Sequence, residues 1–271
     1  DCLIIGASDI TIDCNGHSIT GDGGSGDYGV DNSANEDNVT VKNCVIDTFD
    51  YGVYDTDFGD DWTVDNCTIK NYTSAGVQTQ GENWRFINNT FEDDGQYAVD
   101  IQSNGKYDFY FEDNMFNCTD AGCDRCIWNY NRGLNLTVVD NDFYGLWSEI
   151  VYTTYDYFTA YDNTAHNIGS DGFFSNGADN VEIYNNWLNL TSSGGGTRSA
   201  IGVHSANNVN VYNNTFYGTD VNSWALSLEG CGSNFNVYNN TLGNDLIRVF
   251  DLSYCNDLGS LDFFTTKTYN V

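Results

Sequence analysis

Along most of the chain, apolar and polar residues alternate in short bursts and then break at a pair of Asn, Asp or Cys residues. The clearest burst is Val209–Phe216, V-N-V-Y-N-N-T-F. It recurs as F-N-V-Y-N-N-T-L from Phe235, V-E-I-Y-N-N-W-L from Val181, F-T-A-Y-D-N-T-A from Phe158 and L-T-V-V-D-N-D-F from Leu136. Upstream come F-Y-F-E-D-N-M-F from Phe109, W-R-F-I-N-N-T-F from Trp84, W-T-V-D-N-C-T-I from Trp62 and V-T-V-K-N-C-V-I from Val39. A looser first copy, I-T-I-D-C-N, starts at Ile10. Positions 1 and 3 are apolar while 2 and 4 are mostly polar or Tyr, the period of a strand with one buried face. Position 6 is Asn in eight of ten copies and Cys44 or Cys67 in the others. Asn tolerates left-handed backbone and can bond its equivalent one repeat away, so a column of Asn at a bend satisfies buried polar groups.

About nine residues before each copy lies a second motif: Gly29-Val30, Gly52-Val53, Gly76-Val77, Ala98-Val99, Cys126-Ile127, Glu149-Ile150, Gly172-Phe173, Gly202-Val203, Ala225-Leu226 and Arg248-Val249. Copies step by about 25 residues, a period that marks a solenoid. Each repeat therefore holds two or three short strands with Gly-, Asn-, Asp- and Ser-rich turns and no amphipathic helix. The fold class expected is all-β: one domain over residues 1–271, a parallel β-helix of ten or eleven coils without separate caps. At about 4.8 Å per coil the rod would be roughly 50 Å long.

The alternation of G-V/I-x with V-x-V-x-N-N-x-I/F resembles the right-handed parallel β-helix repeats of the NosD-like and pectate-lyase-like superfamily. The opening D-C-L-I-I-G-A-S-D-I-T-I-D-C-N-G-H-S-I-T-G is similar to the first coil of such domains in archaeal surface and secreted proteins. That resemblance covers nearly the whole chain and implies right-handedness. It does not select a function, because the fold hosts lyases, hydrolases, epimerases, adhesins and surface-layer proteins.

Composition narrows the partners. The net charge is −30, from 39 acids, 32 of them Asp, against nine Lys and Arg. Nucleic acid and anionic membranes are repelled by such a surface. Proline is absent, as suits sheets that need every backbone N–H. No transmembrane run is present, and the chain starts at Asp1, as a mature or trimmed product would. Nine sequons, at Asn38, Asn66, Asn71, Asn88, Asn117, Asn135, Asn189, Asn213 and Asn239, are glycosylation candidates. Four of them (66, 88, 213 and 239) fall at repeat position 5, expected at an exposed turn.

The nine cysteines are Cys2, Cys14, Cys44, Cys67, Cys118, Cys123, Cys126, Cys231 and Cys255. Cys44 and Cys67, and likewise Cys231 and Cys255, are about one coil apart, near the separation a disulfide tolerates; Cys44 and Cys67 could equally be a reduced stack in the Asn column. Cys118, Cys123 and Cys126 form a local cluster, either disulfide-bonded or a metal site lacking an obvious fourth ligand. An odd total leaves one thiol free or paired between chains. Cysteines and sequons together point to an oxidising, extracellular setting.

Catalytic signatures are scarce. Arg85, Arg125, Arg132, Arg198 and Arg248 share no repeat position, and neither pectate-lyase nor polygalacturonase motifs occur. Asp93-Asp94 and Asp60-Asp61 lack a following Gly-His-Gly. His204 is the one histidine at an outward strand position, and reads as an ordinary surface residue. No cofactor is implied beyond a calcium-like site at Asp55, Asp57, Asp60 and Asp61, whose alternate carboxylates flank Gly59. Tyr161, Tyr184, Tyr212 and Tyr238 should stack on one outer face, to hold sugar rings or a partner chain, or simply to stabilise the sheet.

The chain begins within a coil and ends in L-D-F-F-T-T-K-T-Y-N-V, which reads as strand. Such raw ends imply a longer parent or head-to-tail self-association. The function expected is a non-enzymatic extracellular structural subunit of a surface layer, sheath or filament. A carbohydrate-active enzyme or sugar-binding module is the alternative.

Overall fold

A computed structural model describes residues 2–92, 95–102, 105, 107–118, 124–145, 148–191, 198–218, 223–230, 232–243, 248–253 and 261–262. Every regular element among them is a strand. The strands fall into three parallel sheets of eleven, eleven and ten strands, each sheet taking every third strand of the chain. This is a β-solenoid with one strand per sheet in each coil. Sheet A carries the second motif, from Leu3–Ile4 to Arg248–Ser253; sheet B carries the first half of the main repeat and sheet C its last positions.

Inward residues stack on their own kind. Sheet A buries Val30, Val53, Val77, Val99, Ile127, Val151 and Phe173 in one register line. Trp62 lies flat on Trp84, and Phe91, Phe116 and Phe143 continue the pattern at 5.0 and 4.9 Å. Burying such rings at about 25 cal/mol per Å² supplies the main driving force, and in-register stacking adds to it. Where Phe143 would meet another large ring, its neighbour on the next coil is Ala165, and Phe173 fills the space edge-on.

The bend between sheets B and C holds the Asn column. Asn89, Asn114, Asn141, Asn163, Asn186, Asn214 and Asn240 are buried, each side chain bonded to the next through Nδ2 and Oδ1 at 2.9–3.1 Å. Each Nδ2 also donates to a strand carbonyl one coil back, as Asn141 does to Phe111. The left-handed residues are those just before the column, at position 5: from Asn43 to Asn239, nine residues have φ between 50° and 58°. Position 6 was expected to bend; position 5 does, and position 6 is left to bridge coils.

Three register details depart from the sequence reading. Asn15 is not in the column: it lies exposed in a turn two residues longer than that of the next coil, and Cys14 takes the place beside Cys44. The disulfide is accordingly Cys14–Cys44, with Cα atoms 4.8 Å apart, while Cys67 is a buried free thiol and Cys2 an exposed one. Spacing by one coil failed here because two turns of the first coil, at residues 14–17 and 21–27, are longer than those of the next, which brings the separation to 30. The second motif is also displaced in three coils. Ile150-Val151, Ala200-Ile201 and Val249-Phe250 occupy the positions assigned to Glu149-Ile150, Gly202-Val203 and Arg248-Val249. A slip of two preserves the buried face, so alternation could not detect the one at Gly202.

Cys118 is disulfide-bonded, which takes its sulfur from any metal. Cys123, Cys231, Cys255 and Asp93-Asp94 lie outside the described residues. No helix among the described residues is long and apolar enough to cross a membrane.

Candidate functional site

Outward positions of sheet A come one after another as Asp100, Trp128, Tyr152, Phe174, Gly202, Ser227 and Asp251, each directly above the last. Six coil steps of about 4.8 Å make this line about 29 Å long. Its first part is aromatic. Trp128 sits 4.5 Å from Tyr152, 5.7 Å from Tyr130 and 5.9 Å from Tyr97, and Tyr152 continues to Phe174 at 5.4 Å. Tyr130 is 66% exposed. The Arg125 guanidinium lies 3.8 Å from the Trp128 ring, held by Glu149 at 2.6 Å and Asp124 at 2.9 Å. That double ion pair fixes the arginine as a clamp on the indole.

Beside these rings lies a groove of about 450 Å³, lined by Tyr97, Asp100, Gln102, Trp128, Tyr130 and Asn131. Asp100 Oδ2 accepts hydrogen bonds from Gln78 and Gln102 at 2.9 and 2.8 Å. Burial still pushes its carboxyl above the usual range, against the opposing pull of both amides. The groove thus pairs aromatic surface with amide and carboxylate groups.

Farther along the same face is a smaller cavity of about 180 Å³, lined by Asp171, Phe174, Ser199, His204, Trp224, Ser227, Glu229 and Asp251. Asp171 Oδ1 accepts from the Ser199 amide at 2.6 Å and the Ser199 hydroxyl at 2.9 Å. Burial, reinforced by the Glu149 charge, raises its pKa despite those bonds. His204 packs edge-on to Phe174 at 4.6 Å and places Nδ1 3.5 Å from Glu229. Burial lowers the imidazole's pKa more than the surrounding carboxylates raise it. Among the described residues no three His, Cys, Asp or Glu side chains are placed to hold a metal ion. Phe174 lines this cavity and stacks on Tyr152, a ring that is itself buried, so packed aromatic rings lie between the two hollows.

The residues singled out from sequence fare differently. His204 is a member of the second cavity rather than an ordinary surface residue. Asp55, Asp57, Asp60 and Asp61 do not converge. Asp55 is fully buried, accepting from Asn32, Gly59 and Thr79, while Asp60 and Asp61 accept from Glu82 and Asn83 of the next coil. These carboxylates are spent on protein donors instead of a calcium-like ion. Tyr161, Tyr184, Tyr212 and Tyr238 do stack, 4.9 Å apart and within 1° of parallel. Their faces cover one another, so Tyr184 and Tyr212 offer only ring edges to solvent. A larger hollow of about 480 Å³ on sheet B lies around Arg85 and Tyr110, which stack at 4.6 Å. Its Asp61 and Asp108 already accept from Asn83 and Asn135.

Among the sequons, Asn66, Asn88, Asn213 and Asn239 are exposed at left-handed turns, as their position suggested. Asn38, Asn66, Asn71 and Asn135 each donate Nδ2, the nitrogen a glycan would occupy, to Asp9, Asn43, Asp47 and Asp108. Asn117 and Asn189 are half-buried.

Asp100, Trp128, Tyr130, Asp171 and Glu229 were not found by sequence reasoning. For Asp100 and Trp128 a signal was present: the residue after each second motif faces outward, and reading that column gives D-W-Y-F in successive coils. The misplaced motifs at Glu149 and Gly202 scrambled it.

No curated protein matches the sequence. Among solved structures, the crystal structure of the Agl-KA catalytic domain is similar at 14% identity and a TM-score of 0.38, covering 86% of this chain and 48% of that one. The chain thus spans about half the length of that domain. A family model described as a right-handed β-helix region matches residues 2–143, just over half of the sequence. With the three-sheet parallel solenoid described above, this places the protein: the chain belongs to the right-handed β-helix family.

Proposed function

We propose that the protein is an extracellular glycan-binding β-helix whose site is the outer face of sheet A. One observation carries the reading: the Tyr97, Trp128 and Tyr130 rings open onto the same groove as Asp100, Gln102 and Asn131. Sugar rings offer apolar C–H faces that pack on aromatic rings, and hydroxyls that need fixed polar partners. The net charge of −30 repels polyanions, so the glycan is a neutral one. Isothermal titration with neutral gluco-, galacto- and manno-oligosaccharides tests this. Wild type should bind at least one of them, with affinity at least tenfold lower in Trp128→Ala. Absence of binding to every neutral glycan removes the reading.

The rod itself supports a second reading, the structural subunit of a surface layer, sheath or filament. Seven consecutive coils are tied by the Asn column, a construction suited to stiffness. Glycans on Asn88, Asn213 and Asn239, whose exposed side chains, unlike those of Asn38, Asn66, Asn71 and Asn135, donate to no neighbouring coil among the described residues, belong to this proposal. Electron microscopy and intact mass of native material decide it: rods with a subunit repeat near 50 Å and mass above the polypeptide support it. Discrete particles at the bare 30.1 kDa remove it.

A further inference from the structure

We infer that the Asp100 end of the sheet A groove is also an ammonium subsite, so that the groove holds a sugar carrying a protonated amine more tightly than its neutral counterpart. The inference rests on the glycan-binding reading above for the sugar ring and adds a charged substituent to it.

Three observations converge on Asp100. The first is an unused oxygen. Asp100 lines the groove yet is only 4% exposed, and both hydrogen bonds it accepts, from Gln78 and Gln102, end on Oδ2. Oδ1 accepts none among the described residues, so one carboxylate oxygen is left for a donor in the groove. The second is a charge without a counter-ion. The Arg125 guanidinium is committed to Asp124 and Glu149, and no Lys or Arg acts on the Asp100 carboxyl, whose pKa burial raises against two neutral amides alone. A buried charge lacking an opposite charge is costly, and an ammonium beside it removes much of that cost. The third is the aromatic wall. Trp128 lies directly above Asp100 on the next coil, 5.9 Å from Tyr97 and 5.7 Å from Tyr130. Ring faces are negative and attract cations, and Arg125 already uses this attraction, 3.8 Å from the Trp128 ring.

A neutral sugar meets the rings and the side-chain amides of the groove but leaves the Asp100 charge uncompensated. An amine on the same ring donates to Oδ1 in a charge-assisted hydrogen bond, stronger than one from a hydroxyl. The net charge of −30 draws cations to the whole rod, which speeds encounter without favouring this groove. Selectivity comes from the enclosed carboxylate, where salt and water screen least.

The test is titration of the full chain with short glucosamine oligomers, in buffer that keeps the amine protonated. The comparison is with gluco-oligosaccharides of the same linkage, in which a hydroxyl replaces the amine. Wild type should bind the amine form at least about tenfold more tightly, the range of one hydrogen bond to a charged group. Asp100→Asn keeps a carbonyl for Gln78 and Gln102 and should bring the two forms within about twofold of each other. Asp162→Asn removes an equal charge from an exposed turn between sheets B and C and should leave the preference in place. Equal binding of both forms by wild type overturns the inference and leaves glycan binding standing. A preference that survives Asp100→Asn, or that Asp162→Asn lowers as far, belongs to the diffuse charge of the rod and overturns the inference as well. Butylammonium bound as tightly as the glucosamine oligomer overturns the assignment to a sugar. If neither form binds, the inference falls, and the other neutral oligosaccharides decide the glycan reading by themselves.

Discussion

On sheet B, Tyr161, Tyr184, Tyr212 and Tyr238 stand one above another, ring centroids 4.9 Å apart and planes within 1°. On sheet A, Trp128 meets Tyr97, Tyr130 and Tyr152 with planes inclined by 14°, 21° and 37°. Both assemblies lie on the outside of the same rod, and both are about as aromatic. They differ because identical residues at one repeat position adopt one rotamer and consume each other's faces. Unlike residues, spread over neighbouring positions and joined by an arginine, leave rings such as Tyr130 open to solvent. Repetition makes a strut; its interruption makes a surface that can receive something. The Asn column belongs with the strut, since its identical side chains also spend their bonding capacity on one another.

Substitutions separate the two kinds of assembly, and the largest effect belongs to the Asn column at the bend between sheets B and C. Asn141→Ala should lower unfolding free energy by about 3–5 kcal/mol, because it removes the acceptor of the Asn114 backbone N–H and side-chain amide, the donor to the Phe111 and Val139 carbonyls and the bond to Asn163, at about 1 kcal/mol for each bond lost. Urea unfolding followed by circular dichroism measures this. A loss under about 1 kcal/mol would mean that water replaces the amide. Tyr184→Ala removes two stacked contacts and should cost about 1–3 kcal/mol while glycan titrations stay unchanged. Loss of binding in that variant would return the sugar site to sheet B.

Tyr130→Ala should do the opposite: stability changes by about 0.5 kcal/mol or less, as for an exposed position, while affinity for the neutral glycan falls about tenfold. The smallest effect is the most specific. Burial raises the Asp100 pKa above its unfolded value, so the folded state binds more protons and stability falls as pH rises from the unfolded to the folded pKa. Asp100→Asn removes that penalty. Its melting temperature should exceed wild type by a few degrees at pH 7 and match it below the ordinary carboxylate range, where both side chains are neutral. An equal gain at both pH values would assign the effect to packing instead.

Much of the fold was legible because a solenoid repeats its instructions. Val209–Phe216 and its copies located the sheet B and sheet C strands, the buried Asn column and the stacked tyrosines, since each rung meets only its own equivalent one coil away. The site was less legible for the same reason: it is built from positions where the repeat says nothing. Asp100, Trp128, Tyr152 and Phe174 share a register line but no residue type, so similarity could not align them. His204 looked ordinary because Glu229 and Asp171 reach it from other coils, 25 and 33 residues away in the chain.

By itself, then, the sequence determined the architecture: period two for strands, about 25 residues for the coil, Asn at the bend, aromatic against aromatic in the core. Only the tertiary structure decided the register of the irregular coils, and three consequences depended on it. Two extra turn residues moved Cys14 beside Cys44 and chose the disulfide. A two-residue slip at Gly202, invisible to alternation, put that glycine outward beneath Phe174. The carboxylates of the Asp55 turn went to peptide, amide and hydroxyl donors, while Asp100 was buried on sheet A and Asp171 half-buried in the turn that leads into it. Local pattern fixes which face a residue takes, but which neighbour it meets across coils depends on the length of every turn between them.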